Sequence, residues 1–219
     1  MVPSRAMRGK TDPLERADRR LLRILDDSMA EAAARAAHSG HRLACRPGCT
    51  GCCHGPFPIN GLDAARLRRG LADLAASDPE RAAALVGRAR SLLPVLSPGF
   101  PGDPETGVLA DDDSADPYFE LHASLPCPAL DPATGSCELY AWRPLSCRTF
   151  GPPVRIGDAD LPPCHLCFLG ASPGEVEACR VEPDPDGVEE RLIDRFGAEA
   201  ETLIALVLAD RLQKNAGRT

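Results

Sequence analysis

The amino-acid sequence predicts a mainly α-helical chain with one small β-hairpin, in which an irregular cysteine-rich domain is flanked by N- and C-terminal helices. Three observations lead there. Apolar residues make up 43% of the 219 positions but aromatics only 4%, so the core is expected to be mostly Leu, Ala and Val, a composition that favours helices. Leucines recur at helical spacing towards both ends of the chain. Between them, ten cysteines gather in three groups set among prolines and glycines.

Thr11-Asp12-Pro13 reads as a helix start, a cap followed by a proline in the first turn, where its missing N–H does no harm. Leu14, Leu21, Leu25 and Met29 continue the helix until Gly40 stops it. Two more helices are expected near 61–76 and 79–96, with Leu67, Leu71 and Leu74 on one face of the first. Ser77-Asp78-Pro79 repeats the cap-then-proline start before the second. The stretch 97–117, rich in Pro, Gly and Asp, reads as a loop. Its Asp111, Asp112, Asp113 and Asp116 lack the glycine and closing glutamate of an EF-hand, so a solvated linker is expected. In CPALDPATGSCELY (127–140), Asp131 to Ser136 supply turn chemistry, and a hairpin there would bring Cys127 and Cys137 together. Ser172-Pro173-Gly174-Glu175 has capping-box spacing and starts a short helix carrying Cys179. After PDPDG (183–187) a last helical stretch is expected to about Gln213, with Leu203, Ile204, Val207, Leu208 and Leu212 as its buried stripe and Gly197 as a break. The expected division is an N-terminal helix packing on the core (1–43), a cysteine-cluster domain (44–180) and a C-terminal helical segment (181–219).

The formal net charge of -7 argues against a nucleic-acid binder, because counterion release needs clustered Lys and Arg. Arg66, Arg68 and Arg69 form a short basic run without an aromatic platform and read as a solvated helix face. No segment reaches the roughly 18 apolar residues of a membrane span, and MVPSRAMRGKTDPLERADRR has no apolar signal-peptide core. A cytoplasmic chain is expected. Thiols stay reduced there, and a dense cysteine set binds metal more often than it forms bridges.

The cysteine groups are Cys45, Cys49, Cys52 and Cys53, then Cys127, Cys137 and Cys147, then Cys164, Cys167 and Cys179. A soft or borderline metal wants thiolates converging from several chain segments. Three groups separated by helices and a hairpin suit that need, so the domain is expected to be metal-organised. In CRPGC (45–49), Pro47 and Gly48 allow a tight turn whose N–H groups face a thiolate and offset its charge. Cys52 and Cys53 are adjacent, so their side chains diverge and do not easily complete one tetrahedron. Two metals, a multinuclear cluster, or one ligand beside a spare thiol all fit, with a vicinal disulfide as the alternative. Cys45, Cys49 and Cys52 also have the C-x3-C-x2-C spacing of radical S-adenosylmethionine enzymes. Gly51, however, stands where those enzymes usually place an aromatic residue, and the repeated strand-helix units of their partial barrel are missing.

CRPGCTGCC (45–53) and CPALDPATGSCELYAWRPLSCRTFG (127–151) together resemble the CxxCxxCC, or YkgJ-like, cysteine-cluster family of zinc- or iron-chelating domains. The second stretch is similar to the family's order of a cysteine, a turn, a cysteine followed closely by a tyrosine, then RP and CR. The resemblance spans about Cys45 to Cys167. Three residues separate Cys45 from Cys49 where the family name implies two, so the first knuckle is expected to differ in shape. The resemblance implies Cys45, Cys49, Cys52, Cys53, Cys127, Cys137 and Cys147 as metal ligands, for zinc or for iron. A related domain in flagellin lysine N-methylases is associated with an iron–sulfur cluster, which tilts the expectation towards iron.

Cys164 and Cys167 are expected to complete that site or to hold a second ion, while Cys179 reads as a small buried side chain. Arg143 and Arg148 either offset thiolate charge beside the metal or make surface ion pairs. Pro144 would start a short helix carrying Cys147 and Arg148. Tyr140, Trp142 and Phe150 read as packing that shields sulfur from water, and His54 and His165 as loop histidines that the site does not require. The functional expectation is a metal-binding protein that holds an iron–sulfur cluster or zinc. An iron–sulfur-dependent methyl-transferring or redox enzyme and a metal chaperone or store are the alternatives. The sequence offers no glycine-rich cofactor loop, nucleophile elbow or HExxH pair, and it names no protein partner.

Overall fold

The computed structural model describes residues 13–110 and 115–209, apart from Arg42, Cys45 and Pro47. Thr11 and Asp12 of the first helix start, Asp111 to Asp113 of the acidic linker, Cys45, and Leu212 with the end of the last helical stretch lie outside the described residues.

Helix α1 (Pro13–His38) buries Asp18, Leu21, Leu25, Ala32 and Ala36, a stripe at three- and four-residue spacing. Arg35 and His38 complement its C-terminal dipole. It ends where Gly40 takes a left-handed φ of 81°, letting the His41 N–H return to the Ala36 carbonyl at 2.8 Å. Strand β1 (Pro58–Ile59) leads into α2 (Gly61–Ser77), which Asn60 caps by accepting from the Asp63 N–H. Helix α3 (Pro79–Leu96) follows at once. Asp78 accepts from the Arg81 N–H and Pro79 occupies the first turn, as the cap-then-proline reading expects.

The stretch 97–117 is not the plain loop expected from its composition. It holds a hairpin, β2 (Gly102–Asp103) with β3 (Val108–Leu109), and the start of α4 (Asp116–Leu121). The reason is local. The Asp103 carboxylate accepts from the Glu105 N–H at 2.8 Å and from the Thr106 hydroxyl at 2.7 Å, which folds DPETG into a turn. DPATG at 131–135 does the same, with Asp131 accepting from the Ala133 N–H and the Thr134 hydroxyl. That second turn closes the expected hairpin, β4 (Leu130–Asp131) with β5 (Ser136–Cys137).

A 3₁₀ turn (Tyr140–Trp142) and α5 (Leu145–Thr149) come next, the latter beginning after Pro144 as expected. A third hairpin, β6 (Val154–Ile156) with β7 (Ala159–Leu161), turns on Gly157 at a φ of 56°. Helix α6 (Pro173–Ala178) carries the expected capping box between Ser172 and Glu175, and Cys179 follows it as the C-cap. The last helical stretch is broken at Gly197, as expected, and more thoroughly than a single break requires. Helix α7 (Val188–Phe196) ends there in the left-handed conformation, β8 (Thr202–Leu203) pairs with β1, and only then does α8 (Ile204–Leu208) begin.

Helix α8 is buried at every position and forms the centre of the main core with Ile59, Leu67, Leu85, Ala129 and Leu139. Cys127, Cys137 and Trp142 pack against that core from outside. Trp142 lies directly on α2 at Gly70, where an added Cβ would fall 2.5 Å from the ring. A second core joins Leu21 and Leu25 of α1 to Leu62, Leu145 and Leu192.

The basic run corrects a second expectation. Arg68 is exposed, but Arg66 is completely buried and Arg69 is half-buried. Arg66 donates to Asp18 of α1 at 2.7 Å and also pairs with Asp63, while Arg69 donates to the other Asp18 oxygen at 2.9 Å. Two arginines and two aspartates thus neutralise one another inside the fold. Charge-counting along the sequence missed this because Asp18 is supplied by a distant helix.

Candidate metal centre

Two successive turns build the first wall. The Cys49 N–H donates to the Arg46 carbonyl and the Cys53 N–H to the Thr50 carbonyl, with Gly48 supplying a φ of 87°. The strand-like segment 125–127 then pins this loop from the side. The Gly55 N–H reaches the Leu125 carbonyl at 2.7 Å and the Cys127 N–H reaches the Cys53 carbonyl at 2.9 Å. Cys137 follows on β5 and Cys147 on α5.

These elements bring Cys49, Cys52, Cys53, Cys127, Cys137 and Cys147 to the lining of one cavity of about 70 Å³. Its apolar floor includes Phe57, Leu67, Ala129, Leu139 and Ile204, so it opens directly onto the main core. Arg46, Gly48, Tyr140, Arg143 and Pro144 complete it. Among the described residues, no carboxylate or imidazole lines it.

Burial in this apolar setting pushes the thiols of Cys127 and Cys147 up to about 12, and it raises Cys137 as well. The hydrogen bond between the two adjacent thiols raises Cys52 and lowers Cys53, so the pair is electrostatically unequal. The Arg143 guanidinium opposes the rise at Cys52 and Cys137. It stacks 3.6 Å from the Tyr140 ring centroid, held facing the thiols.

Arg148 is placed differently. Its guanidinium donates to Asp26 of α1 at 2.9 Å, to the Arg143 carbonyl at 3.2 Å and to the Ala141 carbonyl, which braces the backbone on either side of Arg143. Cys164 and Cys167 stand outside the cavity. They form a separate cluster with the buried Cys179, Ala36 and Phe168, in which the Ala44 N–H donates to the Cys167 sulfur at 3.1 Å. His54 and His165 are exposed. Trp142 packs behind the thiols and Tyr140 beside them, whereas Phe150 is 46% exposed and shields nothing.

Sequence reading missed two contributors. Arg46 stands within CRPGC itself and lines the cavity while remaining exposed. Its position inside the motif was the available signal. Glu138, beside Cys137, has its side chain only 2% exposed and pairs with Arg81 and Arg88 of α3. Arg88 also donates to the Pro128 carbonyl at 3.0 Å, so one helix holds both ends of the cysteine hairpin. No local pattern announces that contact.

Among the described residues, no three His, Cys, Asp or Glu side chains already form a closed coordination group. The donor set is nevertheless of one chemical kind. Six thiols of the described residues share a mostly apolar cavity with the Arg143 guanidinium, a combination suited to a soft or borderline cation whose thiolates carry excess negative charge.

A mainly helical chain that folds its cysteines around such a chamber belongs to the metal-binding cysteine-cluster class. Within that class, residues 44–165, more than half of the chain, match the family described as "CxxCxxCC: Putative zinc- or iron-chelating domain", and the chain belongs to that family. No curated protein and no solved structure matches the chain.

Proposed function

We propose that the chain holds iron, as an iron–sulfur cluster, or zinc in the thiol-lined cavity, with Cys49, Cys52, Cys53, Cys127, Cys137 and Cys147 as ligands. Cys45 joins them by its place in the family motif. The single observation that supports this reading is the convergence of six thiols from the first loop, the hairpin and α5 on one cavity. One tetrahedral zinc uses about four thiolates. Six around one cavity, two of them adjacent in sequence, favour a multinuclear centre and hence iron over a lone zinc. Arg143 supplies positive charge to the thiolates, and Arg148 acts on the site by holding the backbone at Arg143. Cys164 and Cys167, outside the cavity, serve a second ion in this reading and do not complete the first.

When bound, an iron–sulfur cluster supplies electron transfer and zinc supplies a structural cross-link. The chain's own groups supply the rest. The apolar floor limits contact with water, and Arg143 offsets thiolate charge at Cys52 and Cys137. Thiolate ligands persist where thiols are kept reduced, and on that ground we place the protein in the cytoplasm. No described helix is long and apolar enough to cross a membrane.

Elemental mass spectrometry of protein purified without oxygen tests the reading. Several irons per chain with matching inorganic sulfide support the cluster. One or two zincs without iron make the centre structural, and a protein free of both metals overturns the proposal. A catalytic version would have the cavity admit a small molecule to the metal. It requires that S-adenosylmethionine or another added reactant perturb the cluster's electron paramagnetic resonance signal. A store or chaperone would instead pass its ion rapidly to a mild chelator.

A further inference from the structure

Helix α5 is five residues long, and its N-cap is Pro144, which makes no side-chain capping bond. Helices much shorter than about 12 residues do not hold together unaided. What holds this one comes from elsewhere. The buried Asp63 carboxylate of α2 accepts the Leu145 N–H at 3.0 Å, capping the first turn of α5 from outside. Asp63 is in turn paired with the fully buried Arg66, and Arg66 with Asp18 of α1. At the other end of α5, Asp26 of α1 receives Arg148 at 2.9 Å. Cys147 stands between the two anchored residues.

We infer that Asp63 and Asp26 are positioning residues that fix the Cys147 thiol in the cavity wall, with Arg66 and Asp18 fixing Asp63. The inference rests on the metal-binding reading above. It also gives α1, which lies ahead of the family-matched residues 44–165, a role in the site. The buried group is charge-balanced, with two arginines against two aspartates, and it could have been replaced by apolar packing at little cost in stability. An ionic chain that ends on the N–H at the start of the cysteine turn does something apolar packing cannot. It sets the direction of α5.

The test uses the full-length chain with cobalt(II) as the probe metal. Asp63→Leu together with Arg66→Met removes the cap and its partner while leaving Asp18 paired with Arg69, so no buried charge is orphaned. The expected result is an unchanged circular dichroism spectrum, with cobalt affinity weaker by about 10–100-fold, the usual consequence of losing an outer partner of a ligand. Cys147 should become alkylated in the cobalt-loaded protein while Cys53, Cys127 and Cys137 stay protected. Asp26→Ala alters a half-exposed carboxylate and leaves the core intact. It should also speed Cys147 alkylation selectively, and it decides the question if the double variant does not fold. Wild-type protection of Cys147 and wild-type cobalt affinity in either folded variant overturn the inference. A wild-type protein that takes up no cobalt, zinc or iron overturns the metal reading itself and the inference with it.

Discussion

Burial makes Cys127 and Cys147 reluctant thiolates, each pushed up to about 12, and a cation in the cavity must reverse that preference. Each such thiol gives up its proton as metal arrives. Metal affinity is therefore expected to rise with pH, by about tenfold per pH unit for each thiol deprotonated on binding, in competition titrations run between about pH 6 and pH 9. A pH-independent affinity would mean that these thiols are not ligands. Arg143 works in the opposite direction to burial at Cys52 and Cys137. Arg143→Met is expected to weaken metal binding by about tenfold with little change in fold, and Arg143→Lys to restore part of the loss, both read by chelator competition. At this scale the six thiols and Arg143 that line the cavity were legible as candidates, because thiols and a neighbouring arginine carry their chemistry in their residue type. Arg148 shows the limit. Its sequence position beside Cys147 says nothing of Asp26, which comes from another helix.

The cysteine hairpin depends on α3 through Glu138, whose buried carboxylate meets Arg81 and Arg88. Glu138→Ala removes the carboxylate that ties α3 to the hairpin and is expected to lower the midpoint of guanidinium unfolding, while the partly exposed arginines are taken up by solvent. It should also weaken metal binding, since Cys137 is the next residue. Gly70 is the contact between α2 and the turn that precedes α5. A methyl there falls 2.5 Å from Trp142, so Gly70→Ala is expected to destabilise by about 1–3 kcal/mol despite its better helix propensity. Elements with local start and stop signals were readable: the Asp78-Pro79 start, the Ser172 to Glu175 box and the Gly197 break all stand as expected. The hairpin at 102–109 was not read, although DPETG repeats the DPATG of the hairpin that was. Composition hid it, because the same Pro, Gly and Asp that build a turn also fill a linker. The burial of Arg66 could not be read from α2 alone, since its partner Asp18 lies on α1.

Across the whole molecule, the cavity sits on the main core, and α8 forms part of its floor through Ile204. Packing and metal chemistry are thus coupled. Buried thiols whose ordinary value is 9 hold their protons up to about 12 in the folded chain but release them near 9 once unfolded. Their contribution to metal-free stability is full below about pH 9 and is lost as pH rises towards about 12. Tyr118, raised by burial to about 12, acts in the same direction from about 10. The guanidinium midpoint of the metal-free protein is accordingly expected to fall across that window. With metal bound the cavity thiols have already lost their protons, and the midpoint should fall less. The helical class and the grouping of cysteines were visible in composition and spacing. The pairing of β1 with β8, which seats α8 beneath the cavity, was not, because no local signal links such distant strands. The most direct test of the central claim is a thiol-alkylation map by peptide mass spectrometry, before and after chelation of the metal from anaerobically purified protein. Cys49, Cys52, Cys53, Cys127, Cys137 and Cys147 are expected to be protected together and to become reactive together once the metal is removed. Reactivity of these six that does not change on chelation would contradict a shared metal centre.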